Sequence, residues 1–297
     1  MNVKPDILCI GSVLWDMIGR APVAMRLGSD VPGRIARVPG GVAMNIAMTL
    51  ARFGLTPALL SAVGRDAQGD ELITAAISRG LITEFLYRSQ DLPTDRYMAI
   101  EGANGLIAAI ADAHSLEAAG AKILRPLHDG RLGNQKNPYA GLIALDGNLT
   151  TDLLREIATS QTFEAADLRV APASPGKAER LLPLLKHPRA TLYVNLEEAG
   201  LLSHRTFETS QQAAAALIAK GAHRVLVTDG GRAATKADAT DTISLTPPPV
   251  LVTKITGAGD TFMAAHIAAE ASGASGETAL KAALDGAAAY ISGDLPL

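Results

Sequence analysis

The chain has 297 residues, 48% apolar and only 4% aromatic, enough for one large or two modest domains and better suited to close helix-on-sheet packing than to an aromatic-rich β-sandwich. Lys and Arg number 27 against 30 Asp and Glu, a net charge of −3 that leaves no basic stripe for a nucleic-acid polymer. No segment offers a signal peptide's apolar stretch or the ~18 uncharged apolar residues of a membrane span, so a cytoplasmic protein without a membrane partner is expected.

Residues 6–13 read as a strand closed by Gly11 and Ser12, and within it the single cysteine, Cys9, reads as a small buried hydrophobe. Gly19, Pro22, Gly28, Pro32 and Gly33 break up the next stretch, so residues 17–38 are expected as short strands and turns outside the main sheet. Residues 41–53 carry apolar positions at helical spacing and stop before Gly54, a helix C-terminal signal. An alternation follows: strands at 58–63, 142–145, 168–171 and 191–194, helices at 68–79, 151–158 and 177–185. That is the pattern of a doubly wound, mostly parallel sheet with helices on both faces. Residues 97–112 read instead as two strands about Gly102-Ala103-Asn104-Gly105, whose Asn-Gly pair favours a tight hairpin able to pair with 17–38. Strands at 224–228, 233–236 and 242–245 and two Ala-rich helices at 261–271 and 277–291 complete the chain. The expected organisation is an α/β core from 1–16, 39–95 and 112–297, with a small β lid from 17–38 and 96–111.

The segment Thr256-Gly257-Ala258-Gly259-Asp260 stands between an apolar, strand-like stretch and an amphipathic helix. Its small residues expose backbone N–H groups, and with the positive end of the helix dipole Gly257, Ala258 and Gly259 suit a phosphoryl group in transfer. Asp260, at the same helix start, is expected to be held as the anion by the dipole and so to serve as a base at neutral pH. A bare Gly-x-Gly-Asp also reads as an ordinary capped turn. Rival motifs fail: Phe262 stands where a dinucleotide fingerprint needs its third Gly, against a NAD-dependent dehydrogenase, and no P-loop, zinc cluster or Gly-x-Ser-x-Gly elbow occurs.

Three more sets carry polar chemistry. Asp16 accepts from two hydroxyls and Asn45 both donates and accepts, a combination that suits a vicinal diol, while Gly40 and Gly41 let backbone approach the ligand; a loop Asp and a glycine helix entry are the plainer reading. Asn195 and Glu198 follow a strand at the sheet's carboxyl edge and can hold Mg²⁺ through its waters, or simply cap a helix. Thr228 and Gly230 end another strand, as a nucleotide-phosphate loop or a simple turn.

In this order the four sets resemble the ribokinase (PfkB) family over nearly the whole chain. Gly40-Gly41-Val42-Ala43-Met44-Asn45, with Gly54 and Gly64-Arg65-Asp66-Ala67-Gln68-Gly69, is similar to its N-terminal signature, and Thr256 to Thr261 to its C-terminal one. The resemblance implies a ribokinase-like fold and transfer of the ATP γ-phosphoryl group to a primary hydroxyl of a sugar or nucleoside. Asp260 would be the base, Gly257 to Gly259 the anion hole, and Asp16, Gly41 and Asn45 the acceptor site. Asn195 and Glu198 would serve Mg²⁺, Thr228, Gly230 and Lys177 the nucleotide, and the lid a homodimer contact. A ligand-binding relative without turnover is the non-catalytic alternative. Within the family the nearer likeness is to pseudouridine kinases, through Leu27 to Asn45, the Tyr97 strand, Ala111-Asp112, Leu145 to Leu149, and Pro172-Ala173-Ser174 with Lys177. That likeness puts Tyr97, Asp112 and Asn148 beside the acceptor, with Asp112 or Asn148 reading the extra ring N–H of pseudouridine. Kinases of free ribose or fructose are the alternative. Asp30 departs from the subgroup's Asn, and Lys254 from the Asp many ribokinases carry, which implies weak potassium dependence.

Overall fold

A computed structural model of the chain describes residues 4–253 and 256–294. Eight strands form the main sheet in the spatial order Thr242–Leu245, Ala234–Asp238, Arg224–Thr228, Ala190–Asn195, Asp167–Ala171, Leu142–Asp146, Ile7–Ile10 and Pro57–Leu60. From Arg224–Thr228 to Pro57–Leu60 all pairing is parallel, and the first two strands are antiparallel additions. The chain leaves Ile7–Ile10 for the Pro57–Leu60 side and later returns to Leu142–Asp146 on the other. The winding therefore reverses at the Ile7–Ile10/Leu142–Asp146 boundary, beyond whose carboxyl ends a crevice opens for a ligand.

Alternate residues of each strand feed two cores, because a strand's side chains point to opposite faces. Leu8 and Ile10 pack with Ile143, Leu168, Leu153 and Leu217 on one face. Ile7 and Cys9 pack with Leu59, Ile46, Met263 and Leu280 on the other. Helices Thr151–Thr159 and Ser210–Ala219 cover the first; Val42–Arg52, Ala258–Ala271 and Gly276–Ser292 cover the second. Each such fully buried Leu or Ile contributes about 1.5–3 kcal/mol. Residues 177–185 form the C-terminal part of a 3-10 helix, Pro175–Leu184, rather than an α-helix, with Pro183 inside it. Proline removes an α-helical donor and clashes with the preceding turn.

A second sheet of four strands, Arg34–Gly40, Leu14–Arg20, Arg96–Gly102 and Gly105–Asp112, stands beside the carboxyl edge of the first. Its strands begin at Leu14, earlier than the break-up of the sequence suggests. The hairpin differs in kind from the expected Asn-Gly turn. Ala103 and Asn104 make the loop while Gly105, at φ 95°, opens the next strand, and the register slips at Ile100/Glu101. Asn104 is occupied elsewhere, accepting from Met25 N at 3.0 Å and donating to Met25 O at 3.1 Å. Asp16, Tyr97 and Ala111 are register partners facing the main sheet, so Met17, Met98 and Ile110 lie in one row on the outer face.

Candidate active site

Two adjoining depressions lie at the carboxyl edge of the main sheet. One, an acidic cavity of about 590 Å³, brings together Asp16, Asn45, Tyr97, Asn148, Lys177 and Asp260. A neighbouring groove of about 730 Å³ runs past Asn195, Thr228 and Gly230, and Asn195 and Thr228 line both. Asp112 is not brought in: it sits on the rim strand, half exposed, and accepts from Arg96 Nη2 at 3.3 Å. Lys254 lies outside the described residues.

Asp260 occupies the third position of helix Ala258–Ala271, which begins three residues earlier than the sequence pattern suggests. The first helical N–H groups have no intrahelical acceptor, so those of Ala258, Gly259 and Asp260 are available at the cavity wall. Gly257 must be glycine: its φ is 89°, and a Cβ there would meet Tyr290 Oη at 2.6 Å. That hydroxyl donates to Thr256 O at 2.8 Å and braces the turn from behind. At Gly259 a Cβ would meet no atom of the other described segments within 4 Å and would project into open space at the cavity wall.

The charge state of Asp260 corrects the expectation from the helix dipole. Burial first, then the nearby Asp146, Asp16 and Glu198, together push its carboxyl up to about 7 against the bond it accepts from Asn45 Nδ2 at 3.0 Å. Desolvation outweighs the dipole, which acts within one turn and is worth about 1 kcal/mol. Asp16, also desolvated, is pushed up to about 6. Glu198 rises to about 7 for the same reason.

The paired glycines prove to serve the protein. A Cβ on Gly40 would strike the Asp16 carboxylate at 2.0 Å, and one on Gly41, at φ 92°, the Ser12 carbonyl at 2.5 Å. They make room for the site's own walls. Asn195 and Glu198 form a reciprocal cap on helix Leu196–Ser203, with Glu198 N donating to Asn195 Oδ1 at 2.9 Å and Asn195 N to Glu198 Oε2 at 2.8 Å. Asp66 of the N-terminal signature likewise caps helix Ala67–Ile77 and accepts from Thr94 N at 2.8 Å.

Sequence reasoning missed the hub of the cavity floor. Asp146 is fully buried at the strand end and accepts from Ser12 N, Ser12 Oγ, Ala43 N and Asn148 N at 2.7–3.1 Å. Burial raises its pKa while these donors pull it back. It ties both strands of the crevice to the first turn of Val42–Arg52. The signal was present in Asp146 closing an apolar strand before Gly-Asn, where a carboxylate has no packing reason to be. Lys177 also differs in place: its Nζ donates to Asn148 Oδ1 at 2.5 Å inside the cavity, away from the Gly230 groove.

Comparison with known proteins follows this geometry. The family model described as "pfkB family carbohydrate kinase" matches residues 4–293. Among curated relatives, the pseudouridine kinase of Escherichia coli (strain K12) is 28% identical over 269 residues, covering 89% of this chain and 83% of that protein. The bifunctional protein HldE of Rhodopseudomonas palustris (strain BisB18) is 27% identical over 97% of this chain, which spans 60% of that longer protein. Among solved structures, a carbohydrate kinase from Agrobacterium tumefaciens superposes with a TM-score of 0.79 at 25% identity, over 96% of this chain and 90% of that one. A ribokinase from Thermotoga maritima gives 0.79 at 20% identity over 97% and 93%, and shares the fold.

Proposed function

This chain belongs to the pfkB family of carbohydrate kinases, phosphotransferases with a hydroxyl acceptor, and we propose that it transfers the γ-phosphoryl group of ATP to the 5′-hydroxyl of a nucleoside, pseudouridine before others. The observation that carries the kinase mechanism is the 3.0 Å bond from Asn45 Nδ2 to Asp260 Oδ2, which joins an acceptor-holding amide to the base in one cavity.

In this reading Asp16 and Asn45 hold the ribose hydroxyls and leave the 5′-hydroxyl against Asp260. Asp260 takes its proton as the oxygen attacks the γ-phosphorus in line, the bond to the bridging oxygen breaks, and ADP leaves. Backbone N–H groups from Ala258 to Asp260 face the charge spreading over the phosphoryl oxygens. Asn195, Thr228 and Gly230 would seat the nucleotide phosphates along the adjoining groove. Among the described residues no cluster of acidic or imidazole side chains could hold a metal by itself, so Mg²⁺ would come carried on the phosphates, with Glu198 and, through water, Asn195 beside it. Bound there, Mg²⁺ would neutralise the charge of the transferring group. The small sheet, through Tyr97 and Ala111, would close over the acceptor and exclude water.

The test is a screen of pseudouridine, uridine, adenosine, ribose and fructose at equal concentration with Mg·ATP, with the product's phosphate located. A 5′-phosphate formed with the highest kcat/KM on pseudouridine is expected. Preference for a free sugar would return the assignment to the sugar kinases of the family.

A further inference from the structure

Resting on the nucleoside reading above, we propose that Lys177 and Asn148 are a preset donor–acceptor pair that reads a carbonyl beside a ring N–H on the acceptor's base, and so determine acceptor specificity. Lys177 is thereby moved from the nucleotide to the acceptor.

The pair is rigid because its back side is fully committed. An ammonium only donates, so the contact with Lys177 Nζ makes the near atom of Asn148 its oxygen. The amide nitrogen then points to Ser12 Oγ at 2.9 Å. Ser12 Oγ also accepts from Val42 N at 2.8 Å and passes its own proton to Asp146 Oδ2 at 2.9 Å. A flipped amide would set NH₂ against an ammonium and lose both bonds. The backbone at Lys177 is fixed by its main-chain N–H donating to Ser174 O at 2.9 Å, with Pro172 and Ala173 forming the adjacent wall.

What remains is one lone pair on Asn148 Oδ1 and two N–H donors on Lys177 Nζ, side by side at the wall of the acceptor cavity. An amide edge in a ring offers the complement: a carbonyl oxygen for the ammonium and an adjacent N–H for the amide oxygen. A phosphate on the acceptor fits poorly. Lys177 is the one cation among the described residues lining the cavity, against Asp16, Glu198 and Asp260, and the Asn148 oxygen beside it would repel phosphate oxygens. A free sugar has hydroxyls only and gains nothing from a fixed donor–acceptor order.

This arrangement also bears on two isomeric nucleosides. With the sugar on C5, as in pseudouridine, both ring positions two bonds from the attachment carry N–H beside the C2 carbonyl. Either ring face then satisfies the pair. With the sugar on N1, as in uridine, one of those positions is a C–H, and half of the ring orientations leave Asn148 Oδ1 unpaired. A uridine whose ring turns its N3–H to the pair still satisfies it, so orientation alone is worth about twofold, whereas an acceptor with no such edge leaves both groups unpaired.

The experiment compares the wild-type enzyme with Lys177→Met, Lys177→Gln and Asn148→Leu on pseudouridine, uridine and ribose, reading the pseudouridine-to-ribose ratio of kcat/KM together with KM for Mg·ATP. Lys177→Met is decisive, because it keeps the length of the stem and leaves Asn148 its bond to Ser12. The ratio is expected to fall at least about tenfold in Lys177→Met and Asn148→Leu, with part of it restored in Lys177→Gln, which retains an N–H donor. A ratio within about threefold of wild type, with the loss appearing instead as a raised KM for Mg·ATP, overturns the inference and returns Lys177 to the phosphates. If the wild-type enzyme prefers pseudouridine and the variants keep that preference, the inference alone fails. If the wild-type enzyme prefers ribose to both nucleosides, the nucleoside reading falls and takes the inference with it.

Discussion

Asp260 is held where burial and three neighbouring carboxylates resist its ionisation, yet its proposed role requires the ionised form. A base that titrates near the working pH combines a useful ionised fraction with a real affinity for the proton. The kcat/KM of the free enzyme should therefore rise with pH through about 7 and level off above it. A profile already flat from pH 5.5 would show that Asp260 keeps an ordinary carboxylate pKa. Asp260→Asn retains the shape and cannot take the proton, so turnover should fall by about 10²–10⁴ while calorimetry still detects ATP. Retention of more than about a tenth of the activity would remove Asp260 from the role of base. The same shift has a stability consequence. An acid whose folded pKa is raised stabilises the fold in its protonated form, and that contribution is lost as pH climbs through the folded value. The melting temperature of Asp260→Asn relative to wild type should accordingly improve between pH 6 and pH 8.

At the scale of elements, helix Ala258–Ala271 carries the proposed anion loop at one end and an ionic clamp at the other. Glu270, in its last turn, pairs with the buried Arg169 and with Arg224, whose Nη1 lies 2.8 Å from Glu270 Oε1. Arg169 also binds Asp167 through two 2.7 Å bonds, and Tyr193 links it to His266 on the same helix. A carboxylate near a helix C-terminus is unfavourable by itself, so this one is held by the two guanidinium groups. Glu270→Ala should cost about 3 kcal/mol, since it takes the carboxylate from Arg224 and leaves the buried Arg169 with the carboxylate of Asp167 alone, and chemical denaturation will measure it. A loss below about 1 kcal/mol would mean that water replaces the clamp. The alternation of strands and helices was legible because period-2 and period-3.6 apolar patterns differ over stretches like 142–145 and 151–158. Helix Ser210–Ala219 was not, because Ala213 to Ala216 gives a run with no polar face to set the period. The one-residue slip in the hairpin was hidden too, since Asn104 reaches across to Met25, a contact the local sequence does not encode.

For the molecule as a whole, the outer face of the small sheet is the largest unexplained apolar surface. Ile35 and Ile110 are 80% and 68% exposed and Met98 stands in the same sheet. The resemblance to ribokinases suggests a second copy as its cover, and an exposed patch of this kind is a mark of association. Ile110→Lys combined with Met98→Lys should convert a dimer to a monomer in sedimentation while leaving the melting temperature nearly unchanged. A wild-type chain that sediments as a monomer at micromolar concentration would refute the contact. That Asp16, Asn45 and Asp260 line one cavity could be anticipated from the sequence, because each is a polar residue early in a strand or helix that has no packing purpose there. Asp146 carried the same signal and was passed over, whereas the pairing of Lys177 with Asn148 could not be read, since it depends on segments about 30 residues apart meeting at the reversal of the sheet. That meeting has one more consequence. Asp16 rides on the small sheet, whereas Asn45 and Asp260 belong to the large one, so a ligand that engages both acts as a rivet between them. Its residence time and the lifetime of the closed enzyme become the same quantity. On the proposed acceptor site, binding of the acceptor ahead of the nucleotide is the order expected.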